Sequence, residues 1–450
     1  MVIKTKNPND EFYVKEEYLF EELTYRSNFL EQMRLFVDKQ PIYYDEAKMW
    51  WIWNFREYKW EIIDEITLMN YVDKYTKYPG VKHQIKSETL EALKRIGRIE
   101  KPEPIKPTWV QFKNIIIDYE TGEEFEASPR YFATNPIPWE LGNSDETINM
   151  DLIFKDWVGE DKVQLLYEII AYCLIPDYPI HRMFCLLGEG LNGKSSFLNL
   201  LKKFIGHYNC TSTELDTLLK SRFEITKLHK KLVCIMGETN FNVLSQTSTL
   251  KKLVGGDLVG FEYKNKNPFD EVNYAKILIA TNNLPATTDK TSGFYRRWCI
   301  IDFPNKFSEK VDILKSIPDI EFNNLARKSI MVLRDIMEKR EFHKEGTIEE
   351  RERRYEDKSN PLEKFWKDNI EEDFNGFIFK FDFKKKLDDF CAEHRYRKLS
   401  DNVIIKFMKG KVIDSERKYT EWFTAEGEKK RYWAWVGINF KDKGHVGQRG

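Results

Sequence analysis

The sequence predicts a three-layer α/β/α core between a mostly helical, hairpin-containing amino-terminal domain and an α+β carboxyl-terminal domain. Three observations carry this. Residues 182 to 305 alternate short apolar runs with helix-compatible patterns, as the strands and crossover helices of a parallel sheet do. The first run, Phe184 to Leu187, ends in a glycine-rich loop that opens into a helical pattern (Phe197, Leu198, Leu200, Leu201, Phe204) stopped at Gly206. Breaks rich in proline, glycine or charge at 100–107, 142–146 and 346–361 set apart a segment on each side. The expected domains are 1–145, 146–345 and 346–450.

Taken in order, the first hundred residues read as helices around an aromatic hairpin: Tyr43, Tyr44, Trp50, Trp51, Trp53, Tyr58 and Trp60. Such a cluster suits stacking on single-stranded bases, but more often it forms a small core. Residues 109–127 read as two strands joined by a turn at Glu120-Thr121-Gly122. Asp118 and Glu120 superficially resemble the paired acids of primase and polymerase sites. No third acid accompanies them, so the hairpin is read as structural. The charged run 346–361 reads as a solvated helix or linker. Beyond it, helical patterns span 362–370, 383–391 and 401–409, and a hairpin joins 419–423 to 431–440. Helices followed by a hairpin suggest a winged-helix-like domain. Arg395, Arg397, Lys398, Lys406, Lys409 and Lys411 flank its third helix, as a phosphate-contacting edge or as a solvated face against a neighbouring subunit.

Composition narrows the class. The chain has 450 residues, with 41% hydrophobic and 14% aromatic content, enough for two to four cored domains. Its 72 basic and 73 acidic residues leave a net charge of −1, so nucleic-acid contact must come from local clusters. No signal peptide and no apolar run near the length of a membrane span is present, which predicts a soluble, intracellular protein without a membrane partner. The six cysteines are scattered, mostly in apolar runs, and predict buried thiols and no side-chain metal cluster.

The glycine-rich loop carries the chemistry. Gly188-Glu189-Gly190-Leu191-Asn192-Gly193-Lys194-Ser195, followed by Ser196, has the spacing of a phosphate-binding loop. Its glycines let backbone N–H groups close around phosphate oxygens, Lys194 reaches the β and γ phosphates, and Ser195 suits Mg²⁺. ATP with Mg²⁺ is the expected cofactor. Gly188, Gly190 and Gly193 also satisfy a dinucleotide fingerprint, but no strand ending in an acid follows about 20 residues on, as a ribose site requires.

Hydrolysis needs further groups at the same sheet edge. The apolar run from Leu232 ends at Gly237-Glu238, where a carboxylate can polarise water and support Mg²⁺. The run Ala275 to Ala280 ends in Thr281-Asn282-Asn283, and an amide at Asn282 can bond both a γ phosphate and the lytic water. Arg296-Arg297, before a further strand-like run, is suited to transition-state charge, in cis or from the next subunit.

The segments GEGLNGKS, CIMGETN, LKKLVGGDLVGFEYKNKNPF, ILIATNNLP and GFYRRWCIIDFP together resemble superfamily 3 helicases, within the poxvirus D5-like and phage or plasmid P4-like primase–helicase branch. The likeness is specific over 182–305 and looser over 40–181 and the carboxyl-terminal segment. It implies an AAA+ ATPase that forms a hexameric ring, hydrolyses ATP between subunits and pulls single-stranded or forked DNA through its channel. Lys194 and Ser195 would hold Mg-ATP, Glu238 would be the catalytic carboxylate and Asn282 the sensor. Arg296 or Arg297 would be the finger reaching the neighbour's site. Gly255-Gly256-Asp257 and Glu262 to Lys266 match a pore-hairpin motif: Lys264 and Lys266 suit phosphates, and Tyr263 or Phe261 a sugar or base. In one departure, many members carry two adjacent acids where this chain has Gly237-Glu238. Relatives often place the module behind a primase–polymerase domain, and no such centre is legible here. The chain is then a dedicated helicase or the helicase part of a larger replication protein.

Two rivals make different demands. An ATP-switched DNA-binding or loading factor would retain DNA without separating strands. A small-molecule kinase built on the same loop would need an acceptor pocket and a lid, and would work without a ring.

Overall fold

The computed structural model describes residues 29–75, 83–113, 115–237, 243–244, 247–308, 313–393, 398–411, 413–419 and 431–441. The chain divides into two units. One comprises residues 1–240, 246–281 and 296–346; the other comprises 241–245, 282–295 and 347–450.

The first unit begins with helices Phe29–Lys39, Glu65–Lys74 and His83–Ile99 around an antiparallel sheet of β1 (Ile42–Tyr44), β2 (Trp50–Asn54) and β3 (Lys59–Ile63). Strand alternation sends Trp50 and Ile52 to one face, against Phe36, Leu68 and Leu93. Trp51 and Trp53 go to the other face, against Tyr43, Met49 and Trp60. Both faces are covered, which is why β2 is an unbroken apolar run, and these tryptophans are core rather than a stacking platform.

A second antiparallel sheet holds three strands where two were expected: β4 (Trp109–Phe112), β5 (Ile115–Asp118) and β6 (Glu124–Glu126). The missed bend passes through Lys113 at φ 34°, a left-handed conformation that no glycine or asparagine announced at that residue. Asp118 is buried in a structural role. Its Oδ1 accepts the Glu120 N–H at 3.0 Å, and its Oδ2 accepts Trp109 Nε1 at 3.3 Å, closing the turn into β6.

Helices Ile148–Val158 and Val163–Tyr172 lead into the main sheet. Its strands are β7 (Met183–Leu187), β8 (Cys210–Ser212), β9 (Val233–Met236), β13 (Lys276–Thr281) and β15 (Trp298–Asp302). Between them in the chain come β10 (Val243–Leu244) and β14 (Ala286–Thr287), which pair in the second unit, and the hairpin β11 (Leu258–Phe261) with β12 (Phe269–Val272). The spatial order is β15-β7-β13-β9-β8, and every pairing is parallel. β7, β9 and β13 are buried along their whole length, as strands covered on both faces must be. The chain leaves β7 for the far edge at β8 and returns through β9 to β13 beside β7. The carboxyl end of β7 is therefore the switch point at which such sheets bind ligands. Helix Asp319–Lys339 braces this core. Glu321 accepts the Asn149 and Met150 N–H groups at 3.1 Å each, setting a carboxylate on the amino end of helix Ile148–Val158.

In the second unit, the charged run 346–361 is neither free linker nor fully solvated. Helix Ile348–Ser359 starts with a Thr347/Glu350 capping box. It buries Tyr355, whose hydroxyl donates to the Pro285 carbonyl at 2.7 Å and whose ring meets Phe294 edge-on at 5.2 Å. Helices Pro361–Asn369, Lys380–Glu393 and Asp401–Gly410 follow, with a sheet in the order β16 (Ile370–Phe379), β18 (Arg431–Phe440), β17 (Ser415–Tyr419). Leu362, Phe365, Phe383, Leu387, Ile404, Met408, Trp435 and Ile438 form its core. β16 went unread in the sequence because IEEDFNGFIF lacks alternation at its start and its pairing with β18 slips between Glu372 and Phe377. Residues 420–430, which hold most of the first expected hairpin strand and its turn, and the basic pair Arg395 and Arg397 lie outside the described residues. Among the described residues, no helix is long and apolar enough to cross a membrane.

Candidate active site

The loop Gly188 to Gly193 hangs from the carboxyl end of β7 and feeds the helix Lys194–Ile205. Backbone bonds tie it to both flanking strands: the Gly188 N–H reaches the Thr281 carbonyl at 3.3 Å, and the Phe303 N–H reaches the Leu187 carbonyl at 2.8 Å. The segment after β15 braces one flank of it. Asn192 Nδ2 donates to the Phe303 carbonyl at 3.0 Å, the Phe307 N–H to the Leu191 carbonyl at 2.7 Å, and Lys306 pairs with Glu189 at 2.6 Å.

The glycines of this loop are not equivalent. Gly193 has φ 90°, and a β-carbon there would lie 2.5 Å from Trp157 Cδ1. A β-carbon on Gly188 would lie 1.9 Å from Asn192 Nδ2 and 2.6 Å from the Phe303 carbonyl oxygen. One on Gly190 would meet nothing within 4 Å. Leu191 takes φ 62° without being glycine. The loop is therefore pressed against protein at its two ends and open in its middle, a cradle for something brought to its outer face.

Lys194 is buried, and its ammonium donates to the Gly188 and Glu189 carbonyls at 2.5 and 2.7 Å and to Asn192 Oδ1 at 2.9 Å. The loop thus holds a positive charge at its centre. Ser195 is exposed and Ser196 half-buried on the first turn of the helix, where N–H groups and the helix dipole favour anions. A glycine cradle, a lysine inside it and an exposed hydroxyl at a helix amino terminus form a donor set that fits a Mg²⁺-bound polyphosphate.

The other predicted groups fall as follows. Glu238 lies outside the described residues. The preceding Gly237 is exposed, and a β-carbon added there would meet nothing within 4 Å, so sterics do not explain the missing second acid. Asn282 is exposed and directly follows β13, whose last residue Thr281 pairs in register with Leu187 of β7. The arginines sit at the opposite edge. The Arg297 carbonyl accepts the Met183 N–H at 2.8 Å, at the amino end of β7, a strand about 13 Å long at roughly 3.3 Å per residue. That leaves both arginines farther from the loop of their own chain than a side chain spans.

The two arginines also differ from each other. Arg296 is exposed. Arg297 is buried near Gly255, where a β-carbon would stand 3.0 Å from its guanidinium and 3.3 Å from Asp257 Oδ2. Burial, then the neighbouring Arg296 charge, pulls its pKa down, while Asp257 opposes this. His181 lies beside Gly256, and its pKa is lowered by burial and by the same arginines.

The motif from Gly255 onward forms the β11–β12 hairpin, paired from Leu258 with Val272 to Phe261 with Phe269. Lys264 and Lys266 are exposed on its turn, and Lys266 Nζ donates to the Lys48 carbonyl at 2.8 Å. Tyr263 is less available than the sequence suggested. Its hydroxyl bonds His229 Nδ1 at 2.9 Å, its ring lies nearly parallel to Phe269, and burial pushes its pKa up to about 12. Phe261 is buried. His229 Nε2 meets Glu271 at 3.0 Å, and Lys230 also bonds Glu271. Burial alone would raise the Glu271 pKa, but these partners outweigh it and hold the carboxyl at about 2.

Sequence reasoning missed one feature of this region. Phe223, Thr226, Lys227, Glu262, Tyr263 and Lys264 line an open cleft of about 530 Å³. Phe223 is half exposed on the short helix Arg222–Ile225, and the Arg222 guanidinium lies 5.0 Å from its ring centroid. The SRF triplet is too short to stand out, and only the fold brings it beside Lys264.

Comparison with known proteins bears on the same segment. Residues 186–297 match the model of a family described as a family of unknown function, DUF5906. Over 220 residues the chain is 24% identical to a protein of Acanthamoeba polyphaga mimivirus described as a "Putative helicase". That match takes in 46% of this chain and 23% of the mimivirus protein, so the chain spans less than a quarter of that relative's length. An apo structure of the NrS-1 C-terminal region superposes with a TM-score of 0.50 at 12% identity, covering 92% of this chain and all of that one. An A-form apo structure of the same region gives 0.48 at 14% identity, again over 92% of this chain and all of the other. At 12% identity the likeness is one of fold: a mixed α/β chain built on a five-stranded parallel sheet.

Proposed function

We propose that this chain is an ATP-dependent motor that moves on and unwinds DNA as a ring, with each ATP bound at a subunit interface. The observation that carries the reading is the phosphate loop at the carboxyl end of β7 with both arginines at the amino end of β15. A site with its lysine on one edge of the sheet and its arginine on the other is completed by a second copy of the chain. The mimivirus relative's description as a helicase supports the direction of this reading.

Within it, bound Mg-ATP supplies the transferable phosphoryl group and the metal's charge. Lys194, which lies on the Gly188 and Glu189 carbonyls, would hold the phosphate oxygens, and the Ser195 hydroxyl would hold the metal. Glu238 takes the proton of the attacking water, and Asn282 orients that water. Arg296, the exposed member of its pair, reaches the neighbour's phosphates, while Arg297 holds the strand end against Gly255 and Asp257. Lys264 and Lys266 contact backbone phosphates of the strand being moved, and Phe223 beside them offers a ring to a base. The carboxyl-terminal unit is read as winged-helix-like.

Single-turnover and steady-state ATPase assays with single-stranded DNA test this. Lys194→Ala and Glu238→Gln should each abolish turnover, with Glu238→Gln still binding nucleotide. Arg296→Ala subunits mixed with Lys194→Ala subunits should recover part of the hydrolysis that each lacks alone. Absence of recovery, together with a monomer in light scattering with ATP, would refute the shared site.

A further inference from the structure

The sheet of the carboxyl-terminal unit runs past its own core. Ser415, Arg417 and Tyr419 alternate onto one face of β17, opposite Trp435, Trp433 and Arg431 of β18. At Trp435 this face is covered by the helices and the ring is 4% exposed. Two residues earlier the cover has ended: Trp433 is 50% exposed and Tyr419 56%. Among the described residues, nothing in the packing of this unit requires two large rings there, and exposed aromatic area of this kind marks contact surfaces.

The cations of the same face are set among the rings. Lys380 Nζ lies 5.3 Å from the Trp433 ring centroid and 4.0 Å from that of Trp435. The Arg417 guanidinium lies 5.5 Å from Trp433, and that of Arg431 4.5 Å from Tyr419. The one acid of β17, Glu416, alternates to the other face and pairs there with Lys418 at 2.8 Å. The exposed stretch therefore offers two rings and three cations with no carboxylate from either strand. A flat sheet face of this kind is complementary to a chain of negative charge that also carries flat rings.

We propose that this face of β17 and β18 binds single-stranded polynucleotide, with bases stacking on Trp433 and Tyr419 and phosphates held by Arg417, Arg431 and Lys380. The site is separate from the β11–β12 hairpin and owes nothing to the ATPase reading. It differs from the helix edge expected in the sequence, because the rings lie on the strands. Duplex DNA hides its base faces in the stack and gains only the phosphate contacts.

The test is fluorescence anisotropy of a labelled oligothymidine with the full chain, without nucleotide, in the natural sequence and in a Lys264→Ala/Lys266→Ala background. Trp433→Ala with Tyr419→Ala should weaken binding on the order of tenfold or more in both backgrounds. Trp433→Phe with Tyr419→Phe should keep most of the affinity. Arg417→Gln with Arg431→Gln should flatten the salt dependence by roughly 0.7 per lost phosphate contact. Unchanged thermal melting by circular dichroism checks that the variants fold. Unaltered affinity after the alanine changes overturns the proposal. So does loss of all binding in the hairpin background, or a duplex of equal length competing as well as the single strand. If instead the hairpin changes alone leave affinity and stimulated turnover intact, the hairpin assignment falls and this site stands.

Discussion

The three glycines of the loop after β7 provide a sharp test of its geometry. The sequence pattern treats Gly188, Gly190 and Gly193 alike, whereas the structure separates them by what a single methyl group would meet. At Gly193, alanine must adopt φ 90° and place its methyl 2.5 Å from the Trp157 ring. The left-handed conformation costs about 1–2 kcal/mol, and overpacking against a buried tryptophan another 1–3 kcal/mol. Gly193→Ala should thus lose about 2–5 kcal/mol and widen the joint between loop and helix. Gly190→Ala meets nothing and carries no left-handed backbone, so it should be neutral or gain up to about 1 kcal/mol through the less flexible unfolded chain. Gly188→Ala should resemble Gly193→Ala, because its methyl displaces the Asn192 amide that links Phe303 and Lys194. Urea unfolding gives the stability ranking, and titration with a fluorescent ATP analogue shows whether binding follows it. A Gly193→Ala protein as stable as the parent, or a Gly190→Ala protein as damaged as Gly193→Ala, would refute this account of the loop.

Three further expectations follow from single sites. Gly237→Asp, placed where a side chain meets no protein atom, should lower the Mg²⁺ concentration for half-maximal ATPase; an unchanged or higher requirement would show that Glu238 does not work beside a metal. Lys276 is fully buried, bonds the Ile175 and Asp177 carbonyls at 2.5 and 2.6 Å, and has its pKa pulled by burial from 10.5 to about 7. Between those values the unfolded chain carries a proton that the folded one lacks, so this group adds stability as pH rises. Lys276→Met should then cost about 1–3 kcal/mol for the orphaned carbonyls, and the gap in urea unfolding should be wider at pH 9 than at pH 7; a gap that narrows contradicts the assignment. Phe223→Ala should leave unstimulated ATPase near its parent value and reduce stimulation by single-stranded DNA several-fold, in line with loss of about 1–3 kcal/mol of stacking; full stimulation would remove the cleft from the nucleic-acid path.

Much of the core was legible because parallel strands buried on both faces must be written as unbroken apolar runs. Phe184 to Leu187, Leu232 to Met236 and Ile277 to Ala280 could hardly be anything else beside a glycine-rich loop. The hairpin after Gly255-Gly256 was legible for a related reason, since a double glycine ends a helix whatever surrounds it. Lys113 was not, because its left-handed backbone is imposed by the pairing of β4 with β5 and by nothing local. β16 was not, because it owes its strand character to β18, some sixty residues away. The charged run after Gly346 reads as a solvated helix or linker, and the helix forms, but the side it buries was not legible because Tyr355 finds its partners at Phe294 and Pro285.

By itself, then, the sequence determined the chemistry on offer: a lysine and a hydroxyl at a glycine-rich loop, an amide, two arginines, two lysines on a turn. Such identities are local, since a side chain keeps its charge and its donors wherever it is placed. Only the tertiary structure decided where those groups stand. Strand direction put Arg296 and Arg297 at the opposite sheet edge from Lys194, burial separated one arginine from the other, and packing drew Tyr263 onto His229. Position depends on partners distant in the chain, and the distance between two residues in space is not written in either of them.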